Sequence, residues 1–528
     1  MPRMLALCLC IVVILWLFYR EHKLRPMPSG SLWITLLWSA IVGTRPISVW
    51  LGAGIRVDRP EDLLDGSPLD RNIFILLILG AVVVLWNRKL SWRAIIASNP
   101  WLFLFFVYGG VSGLIWSDFP LVSLKRWFKA VGQLAAVLII ATDARPVAAT
   151  RAVLARYVYL IVPLSIILMK YFPELGRYYN PWTYEPAFSG VTTNKNELGA
   201  NGFVCGLFLV WELVAMRRHQ GDSSVVDRPP LQETTPRVSS GRRSGGGLAS
   251  RALPAPRRLL RWTRTTAVMP GGPREMPHDS VSNLDRFCGG VLLLMILWIL
   301  AQAGSSTAQI CLFCGAGIIL LMRFRFAQKQ AAYLGRYAIV LAVLPALVYF
   351  SPGGLATFVG QFGRDVTLTG RTDLWADLLK IPLNPILGAG YKSFWLGPYV
   401  AQIWQKYYFH PNQAHNGYLE TYLQGGLLGL GVLLLMVVST GRTLKSYVMR
   451  GDQFRIFQFT CLITALIYNW TEALFDGLDL VWIMMLLAAL TDGGQSRTTA
   501  IPSAAVTTDP IDHGRPGRRS ASSARAAS

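Results

Sequence analysis

Charged residues are scarce in this sequence. Of its 528 residues only 15% are charged, whereas 52% are hydrophobic, and 18 Trp, 19 Tyr and 24 Phe are present. The mean hydropathy is +0.39. This composition is typical of a polytopic membrane protein. Long apolar runs cross a hydrocarbon core of about 30 Å only as helices, because backbone groups in lipid must be paired within the segment.

Acidic residues are fewer than basic ones, 29 against 51, which gives a formal net charge of +22. Much of the excess lies between Arg217 and Arg286, among Pro, Ser, Gly and Thr, and the tail after Asp492 is similar. Trp262 stands alone there, so the aromatic interleaving that supports base stacking is missing, which argues against nucleic-acid binding. We interpret both stretches as solvated cytoplasmic segments that follow the positive-inside rule.

Metal and redox motifs are also lacking. The seven cysteines all lie within or at the end of apolar runs, and the CxxC spacing of Cys311 and Cys314 has no second pair. The six histidines are scattered, apart from His410 and His415. We therefore expect neither surface disulfides nor a zinc site. No internal repeat of helix groups is visible, which argues against a transporter or flippase.

Apolar runs predict twelve or thirteen transmembrane helices. They lie near residues 4–19, 31–53, 73–87, 99–116, 127–142, 157–171, 198–216, 288–302, 308–322, 337–350, 417–440, 456–470 and 479–490. The first run has no Ala-x-Ala-like cleavage site after it and is followed by basic residues, so we interpret it as a span rather than a signal peptide.

Alternate loops are rich in Lys and Arg, which accumulate on the cytoplasmic side of membranes. The loops between them, at residues 54–72, 172–197, 351–416 and 471–478, are therefore predicted to face outward. The largest, 351–416, is rich in Trp, Tyr, Gly and Pro, and a long loop of this kind is usually functional or disordered. Its aromatic content argues against disorder.

Two ionisable side chains of this loop could carry chemistry. Arg371 begins a predicted amphipathic helix, where a guanidinium suits a diphosphate; the alternative is pairing with Asp373 or Asp377 on the loop surface. His415 leads directly into a span, and an imidazole there can take or give a proton. The alternative for His415 is a helix cap.

Charged residues at other positions predicted to face outward are further candidates for a functional role. Glu420 lies inside the span that follows His415, where a charge usually faces a cavity or a partner. Glu472 and Asp476 give the last outward loop an acidic rim. Lys195, at the entrance of another span, is either a second phosphate contact or an interfacial lysine that snorkels.

Several motifs resemble the O-antigen ligase and Wzy-type polymerase superfamily. The pair His415-Asn416 is followed after nine residues by Gly426 and after two more by Gly429. This spacing resembles the histidine signature of the superfamily. The tracts 370–375 and 384–390 are similar to the Arg-bearing half of the same domain, and 195–199 to its preceding loop. The tracts 44–46 and 469–472 are most like those of ExoQ-type exopolysaccharide polymerases.

The resemblance implies an all-α polytopic helical bundle with a large periplasmic loop, GT-C-like, in the bacterial inner membrane with its active loops periplasmic. It implies a glycosyltransferase that polymerises undecaprenyl-diphosphate-linked oligosaccharide repeats into an exopolysaccharide or O-antigen-type polymer. Three alternatives stay open: an O-antigen ligase that transfers the glycan to lipid A-core or another acceptor, a flippase, and a non-catalytic partner of a secretion complex.

The resemblance also implies residue roles. His415 would be the general base or orient the acceptor, and Arg371 would stabilise the departing diphosphate. The predicted substrate contacts are Lys195, Arg364, Tyr391, Asn416, Tyr418 and Glu420. No cofactor or metal is expected, because Arg and Lys can take the place of a metal. The expected partners are the lipid-linked oligosaccharide and the bilayer, and other polysaccharide synthesis or export proteins stay open as partners.

The same reasoning predicts a domain organisation. It comprises N-terminal transmembrane helices (1–179), a ligase- or polymerase-like core (180–216 and 287–440) that includes the periplasmic loop 351–416, a basic low-complexity cytoplasmic loop (217–286), C-terminal transmembrane helices (441–490) and a disordered cytoplasmic tail (491–528).

Overall fold

The computed structural model describes residues 2–53, 66–179, 185–226, 283–333, 371–407 and 409–490. Within these ranges the chain is a helical bundle with one antiparallel hairpin, in which β1 (Arg177–Tyr179) pairs with β2 (Pro186–Phe188). The prediction of an all-α, polytopic membrane protein is confirmed.

The helices are numbered in chain order. They are α1 (Arg3–Leu24), α2 (Leu32–Val42), α3 (Ile47–Trp50), α4 (Pro68–Asn87), α5 (Trp92–Ser98), α6 (Pro100–Ile115), α7 (Pro120–Ala141), α8 (Pro146–Tyr171), α9 (Pro173–Gly176), α10 (Lys195–Val226), α11 (Asn283–Ala303), α12 (Ser306–Leu321), α13 (Arg325–Gln330), α14 (Arg371–Lys380), α15 (Pro398–Lys406), α16 (Gly417–Val448), α17 (Gln453–Tyr468) and α18 (Leu480–Ala489).

Every predicted span within the described ranges coincides with helix, although the span predicted at 31–53 is divided into α2 and α3. The span predicted at 337–350 lies outside the described residues, as do Arg364 and most of the basic loop and the tail. Six described helices are long and apolar enough to cross a membrane, or up to eight if each of two bent pairs is one span. The count of twelve or thirteen crossings stays a prediction.

Helix α18 forms the centre of the bundle. All of its residues are buried, as expected for a helix that is apolar on every side. Its N-terminus is capped by Asp479, whose Oδ1 accepts a hydrogen bond from the N–H of Trp482 at 2.8 Å. Large apolar side chains are instead exposed on the outer helices α1 and α4, where lipid would surround them.

Helix α16 is broken at Gly426, whose φ of 60° and ψ of −161° are not helical. The segment 384–390, which precedes α15, docks onto this break, and the N–H of Ala389 donates to the carbonyl of Leu423 at 2.9 Å. A Cβ on Gly388 would lie 2.6 Å from the backbone nitrogen of Gly426. Both positions therefore need glycine. This docking ties the loop to the helix that begins just after His415.

Candidate active site

The carboxylate of Glu472 joins the two residues that the sequence singled out. It lies in the loop between α17 and α18, and only 5% of the residue is exposed. Its Oε1 accepts hydrogen bonds from Arg371 Nη2 at 2.9 Å and from Asn196 Nδ2 at 2.7 Å. Its Oε2 lies 3.2 Å from His415 Nδ1. Four segments that are distant in sequence thus meet at one buried carboxylate.

The charges around Glu472 keep it ionised despite its burial. Burial alone raises the pKa of a carboxyl group, because the charged form loses its hydration. The hydrogen bond and charge of His415, together with the charge of Arg371, outweigh this effect and hold the pKa of Glu472 below its ordinary value. The site therefore contains a buried anion that is compensated by the guanidinium of Arg371 and lies within hydrogen-bonding distance of His415.

His415 owes its position to the turn that precedes α16. Its φ of 50° is unusual for a residue other than glycine. On either side of it, the N–H of Ala414 donates to Glu420 Oε2 at 2.8 Å, and the side chain of Asn416 caps α16 by accepting from the N–H of Tyr418 at 3.0 Å. The cap is thus made by Asn416, and the imidazole of His415 is directed to Glu472 instead.

Arg371 is the first residue of α14, as predicted, but it pairs with neither Asp373 nor Asp377. Its Nη2 donates to Glu472, and its Nη1 donates to the backbone carbonyl of Thr471. Asp377 instead holds α14 to the end of α15, because it accepts from Lys406 Nζ at 2.5 Å and from the hydroxyl of Tyr407 at 2.7 Å.

The start of α10 supplies the third segment of the site. The backbone carbonyl of Asn196 accepts from the hydroxyl of Tyr468 at 2.8 Å, which fixes the side chain that reaches Glu472. The neighbouring Lys195 begins the helix, and its N–H donates to the hydroxyl of Tyr178 at 3.1 Å. The Lys195 side chain makes no hydrogen bond to another described residue.

The predicted substrate contacts occupy different environments. Glu420 is buried and accepts from Trp395 Nε1 at 2.8 Å and from Gln424 Nε2 at 2.6 Å, in addition to Ala414. The hydroxyl of Tyr418 donates to the carbonyl of Leu466 at 3.0 Å. These interactions fix the turn and the start of α16. Contact with a substrate stays a prediction for both residues, as it does for Asn416.

Tyr391 is buried near Asp476. Burial and the negative charge of Asp476 raise the pKa of the Tyr391 hydroxyl well above its ordinary value, so the hydroxyl stays protonated. Burial likewise raises the pKa of Asp476, although the nearby charge of Lys392 partly opposes this. Lys392 Nζ donates to the carbonyl of Asp476 at 2.6 Å. The acidic rim expected at 472–476 is therefore mostly interior.

Sequence reasoning singled out His415 and Arg371 but did not predict that Glu472 connects them, and it gave no role to Asn196. Glu472 was visible only as part of an outward acidic rim and of the tract 469–472. Among the residues that the structure describes, no group of three or more His, Cys, Asp or Glu side chains could hold a metal ion.

Comparison with known proteins supports the resemblance. Residues 290–434 match the Wzy_C family, which is described as O-Antigen ligase. Over 157 residues the chain is 29% identical to the Exopolysaccharide production protein ExoQ of Rhizobium meliloti (strain 1021). That alignment covers 28% of this chain and 35% of the relative, so it spans about a third of the relative's length.

The predicted similarity to the O-antigen ligase superfamily, and to ExoQ-type proteins within it, is confirmed. The family match lies within the predicted core segment 287–440 and contains Arg371 and His415. Asn196 and Glu472 fall outside it. The boundaries of the predicted domains stay predictions.

Proposed function

We propose that this multi-pass membrane protein polymerises undecaprenyl-diphosphate-linked oligosaccharide repeats on the periplasmic face of the inner membrane. The observation that carries the proposal is the buried Glu472 carboxylate, which lies 2.9 Å from Arg371 Nη2 and 3.2 Å from His415 Nδ1. A cation and an imidazole held together at the end of a membrane helix suit the transfer of a glycan from a diphosphate. The family match, which includes both residues, supports the same chemistry.

His415 is the proposed base. In the neutral tautomer whose Nδ1–H donates to Glu472, Nε2 carries the lone pair and can accept a proton. Glu472 fixes this orientation and stabilises the imidazolium that forms when the proton arrives. General-base catalysis of this kind contributes about 10²- to 10⁴-fold to a rate.

Arg371 is the proposed contact of the leaving group. Of its five N–H donors, one is used by Glu472 and one by Thr471, so the others can reach diphosphate oxygens. As the glycosidic bond breaks, negative charge develops on the diphosphate, and a fixed guanidinium stabilises it. Lys195, at the start of α10, and Arg364 are the further phosphate contacts that we propose.

The acceptor hydroxyl oxygen bonds to the anomeric carbon of the donor sugar, and its proton passes to His415 Nε2. The bond between that carbon and the diphosphate oxygen breaks, and undecaprenyl diphosphate leaves with the electron pair. The new glycosidic bond lengthens the glycan by one repeat, and His415 then loses its proton to water.

Replacement of the two proposed site residues tests this function. We expect His415→Ala and Arg371→Ala to abolish long polymer in a deletion strain, while single lipid-linked repeats and membrane levels of the protein stay at wild-type values. His410→Ala is the matched control, because His410 lies in the same loop but stacks on Trp404 at 4.5 Å. Wild-type polymer from either site variant would refute the proposal.

The family description favours a second candidate function, ligation of a completed glycan to another acceptor. Both reactions use the same donor and base and differ in the acceptor. Analysis of the glycans in the deletion strain separates them. Loss of long chains with single repeats retained indicates a polymerase, whereas accumulation of long lipid-linked polymer indicates a ligase.

A further inference from the structure

A cavity of about 430 Å³ adjoins the Glu472 site. Its walls come from the end of α2, from α4, α7 and α10, and from the loop between α17 and α18. Asn196, Gln413 and Glu472 belong to both the cavity wall and the surroundings of His415. The volume lies within the range of about 300–1,000 Å³ that is usual for small-molecule sites.

Three polar side chains in the wall have unused hydrogen-bonding capacity. Lys129 of α7 lies 5.2 Å from the ring centre of Phe74, and the described part of the chain gives its Nζ no hydrogen bond or ion pair. The side chain of Gln413 likewise has no hydrogen-bond partner among the described residues. In Asp479, Oδ1 caps α18, whereas the buried Oδ2 has no hydrogen-bond partner in the described ranges.

Such groups are costly to keep in a membrane protein. A lysine within an apolar helix, or a buried carboxylate oxygen without a donor, normally faces a cavity and binds something there. Lys129 offers donors, Asp479 Oδ2 an acceptor and Gln413 both. A sugar hydroxyl both donates and accepts, so it matches this set. The rings of Phe74 and Tyr468 add apolar faces to the same wall.

The charge of the wall selects among ligands. Its ionisable residues are four carboxylates, Asp70, Glu197, Glu472 and Asp479, against the single cation Lys129. The charge of Glu472 is compensated by Arg371, and burial raises the pKa of Asp479 to about 7, but Asp70 and Glu197 still outnumber Lys129. An anionic group such as a diphosphate or a sugar carboxylate is therefore disfavoured here, whereas an uncharged sugar is not.

We infer that this cavity binds uncharged, hydroxyl-rich sugar residues at the acceptor end of the glycan, while the anionic donor end lies at Arg371. The inference rests on the proposed function, because that function defines which glycan is the acceptor. A sugar in the cavity lies beside the His415–Glu472 pair that takes the proton. Lys129, Gln413 and Asp479 then decide which acceptor is used.

Saccharide binding to the full-length protein in lipid nanodiscs, followed by saturation-transfer NMR, tests this inference. The probes are two neutral trisaccharides, maltotriose and cellotriose, and the anionic trigalacturonate. We expect the neutral probes to bind at least about 10-fold more tightly than trigalacturonate. Lys129→Met should weaken neutral binding about 10-fold, because a hydrogen bond to a charged donor is lost. Lys125→Met is the matched control, since Lys125 is exposed on the same helix outside the cavity.

Three results would overturn the inference: no binding of either neutral probe, equal or tighter binding of trigalacturonate, or unchanged neutral binding in Lys129→Met. The His415→Ala variant separates this inference from the proposed function. It should bind the neutral probes while losing polymer. Polymer that persists in His415→Ala refutes the proposed function, whereas lost polymer together with Lys129-independent binding refutes only the acceptor site.

Discussion

At the scale of single residues, the candidate site depends on the charge of Glu472. We expect Glu472→Gln, which keeps the size of the side chain but removes its charge, to lower polymer formation about 10²-fold or more. The reason is that both Arg371 and His415 lose the anion that orients them. The measurement is polymer per amount of membrane-inserted protein.

A control variant and a double variant make this prediction specific. Glu174→Gln removes a carboxylate whose side chain is 53% exposed and pairs with Arg3 on the surface, so polymer should stay at the wild-type level. Adding Arg371→Ala to Glu472→Gln should lower the Tm little more than either change alone, because stability changes within one network are not additive. Independent, additive losses would contradict a shared role.

Asp377 gives the contact between α14 and the end of α15 a pH-dependent stability. Hydrogen bonds from Lys406 and Tyr407 lower its pKa to about 2. The stability that the ionised Asp377 carboxylate contributes is therefore fully present above the ordinary aspartate pKa of about 3.9. It is lost as the pH falls toward 2. We expect Asp377→Asn to destabilise the protein by less than about 1 kcal/mol at pH 6.

Thermal unfolding at several pH values measures this difference. The gap in Tm between wild type and Asp377→Asn should shrink below pH 4, because acid removes the same charge from the wild type. Asp373→Asn is the control on the same helix, since Asp373 is exposed and has no hydrogen bond to another described residue. A gap that is constant with pH would rule out the charge of Asp377 as its cause.

Residue types were more predictable than their contacts. His415 and Arg371 could be predicted because a local motif and a helix start mark each of them in the sequence. Their connection through Glu472 and Asn196 could not be predicted, because it joins positions separated by up to 276 residues. Spacing in a single sequence reports on local periodicity and says little about such long-range contacts.

At the scale of elements, the break in α16 holds the segment 384–390 in place. Gly426 has a left-handed φ of 60°, and a Cβ there would collide with the backbone of Ile386. Gly426→Ala should therefore displace the segment 384–390, lower the Tm and reduce polymer formation. With a ψ of −161° the backbone of Gly426 lies in a region that is open essentially to glycine only, and this conformation alone costs a residue with a Cβ about 1–3 kcal/mol.

Gly431→Ala is the matched control, because Gly431 lies in the same helix with nothing within 4 Å of the added Cβ. It should leave the Tm and polymer formation at wild-type values or raise the Tm slightly, since alanine favours a helix. If Gly426→Ala behaved like Gly431→Ala, the docking of the loop onto the break would not matter for the site.

The helices could be predicted from apolar runs in the sequence, but the break in α16 could not. A continuous span was predicted at 417–440, because the hydrophobic pattern of Leu and Val continues across Gly426. Glycine is only a weak signal within a helix. What breaks α16 is the backbone of 384–390, which occupies the space beside it, and that interaction depends on the tertiary structure.

At the scale of the whole molecule, two charged clusters lie at opposite ends of the apolar part of α10. Helix α10 begins at Lys195, beside Asn196 and the Glu472 site, and farther along it carries Glu212. Glu212 is buried and accepts from Arg25 Nη1 at 2.9 Å and from Arg151 Nε at 2.8 Å. At 1.5 Å per residue, Lys195 and Glu212 are about 25 Å apart along the helix, close to the thickness of a hydrocarbon core.

This separation predicts that the two clusters lie on opposite sides of the membrane, with the Glu472 site periplasmic. Cysteine labelling in spheroplasts tests the orientation. Asn412→Cys, exposed next to the site, should react with a membrane-impermeant maleimide without permeabilisation. Ala144→Cys, exposed between α7 and α8, should react only afterwards. Both changes belong in a background without the exposed Cys8 and Cys314 that still forms polymer. The reverse pattern would place the site in the cytoplasm and refute a periplasmic reaction. The loops rich in Lys and Arg would then face outward, against the positive-inside rule.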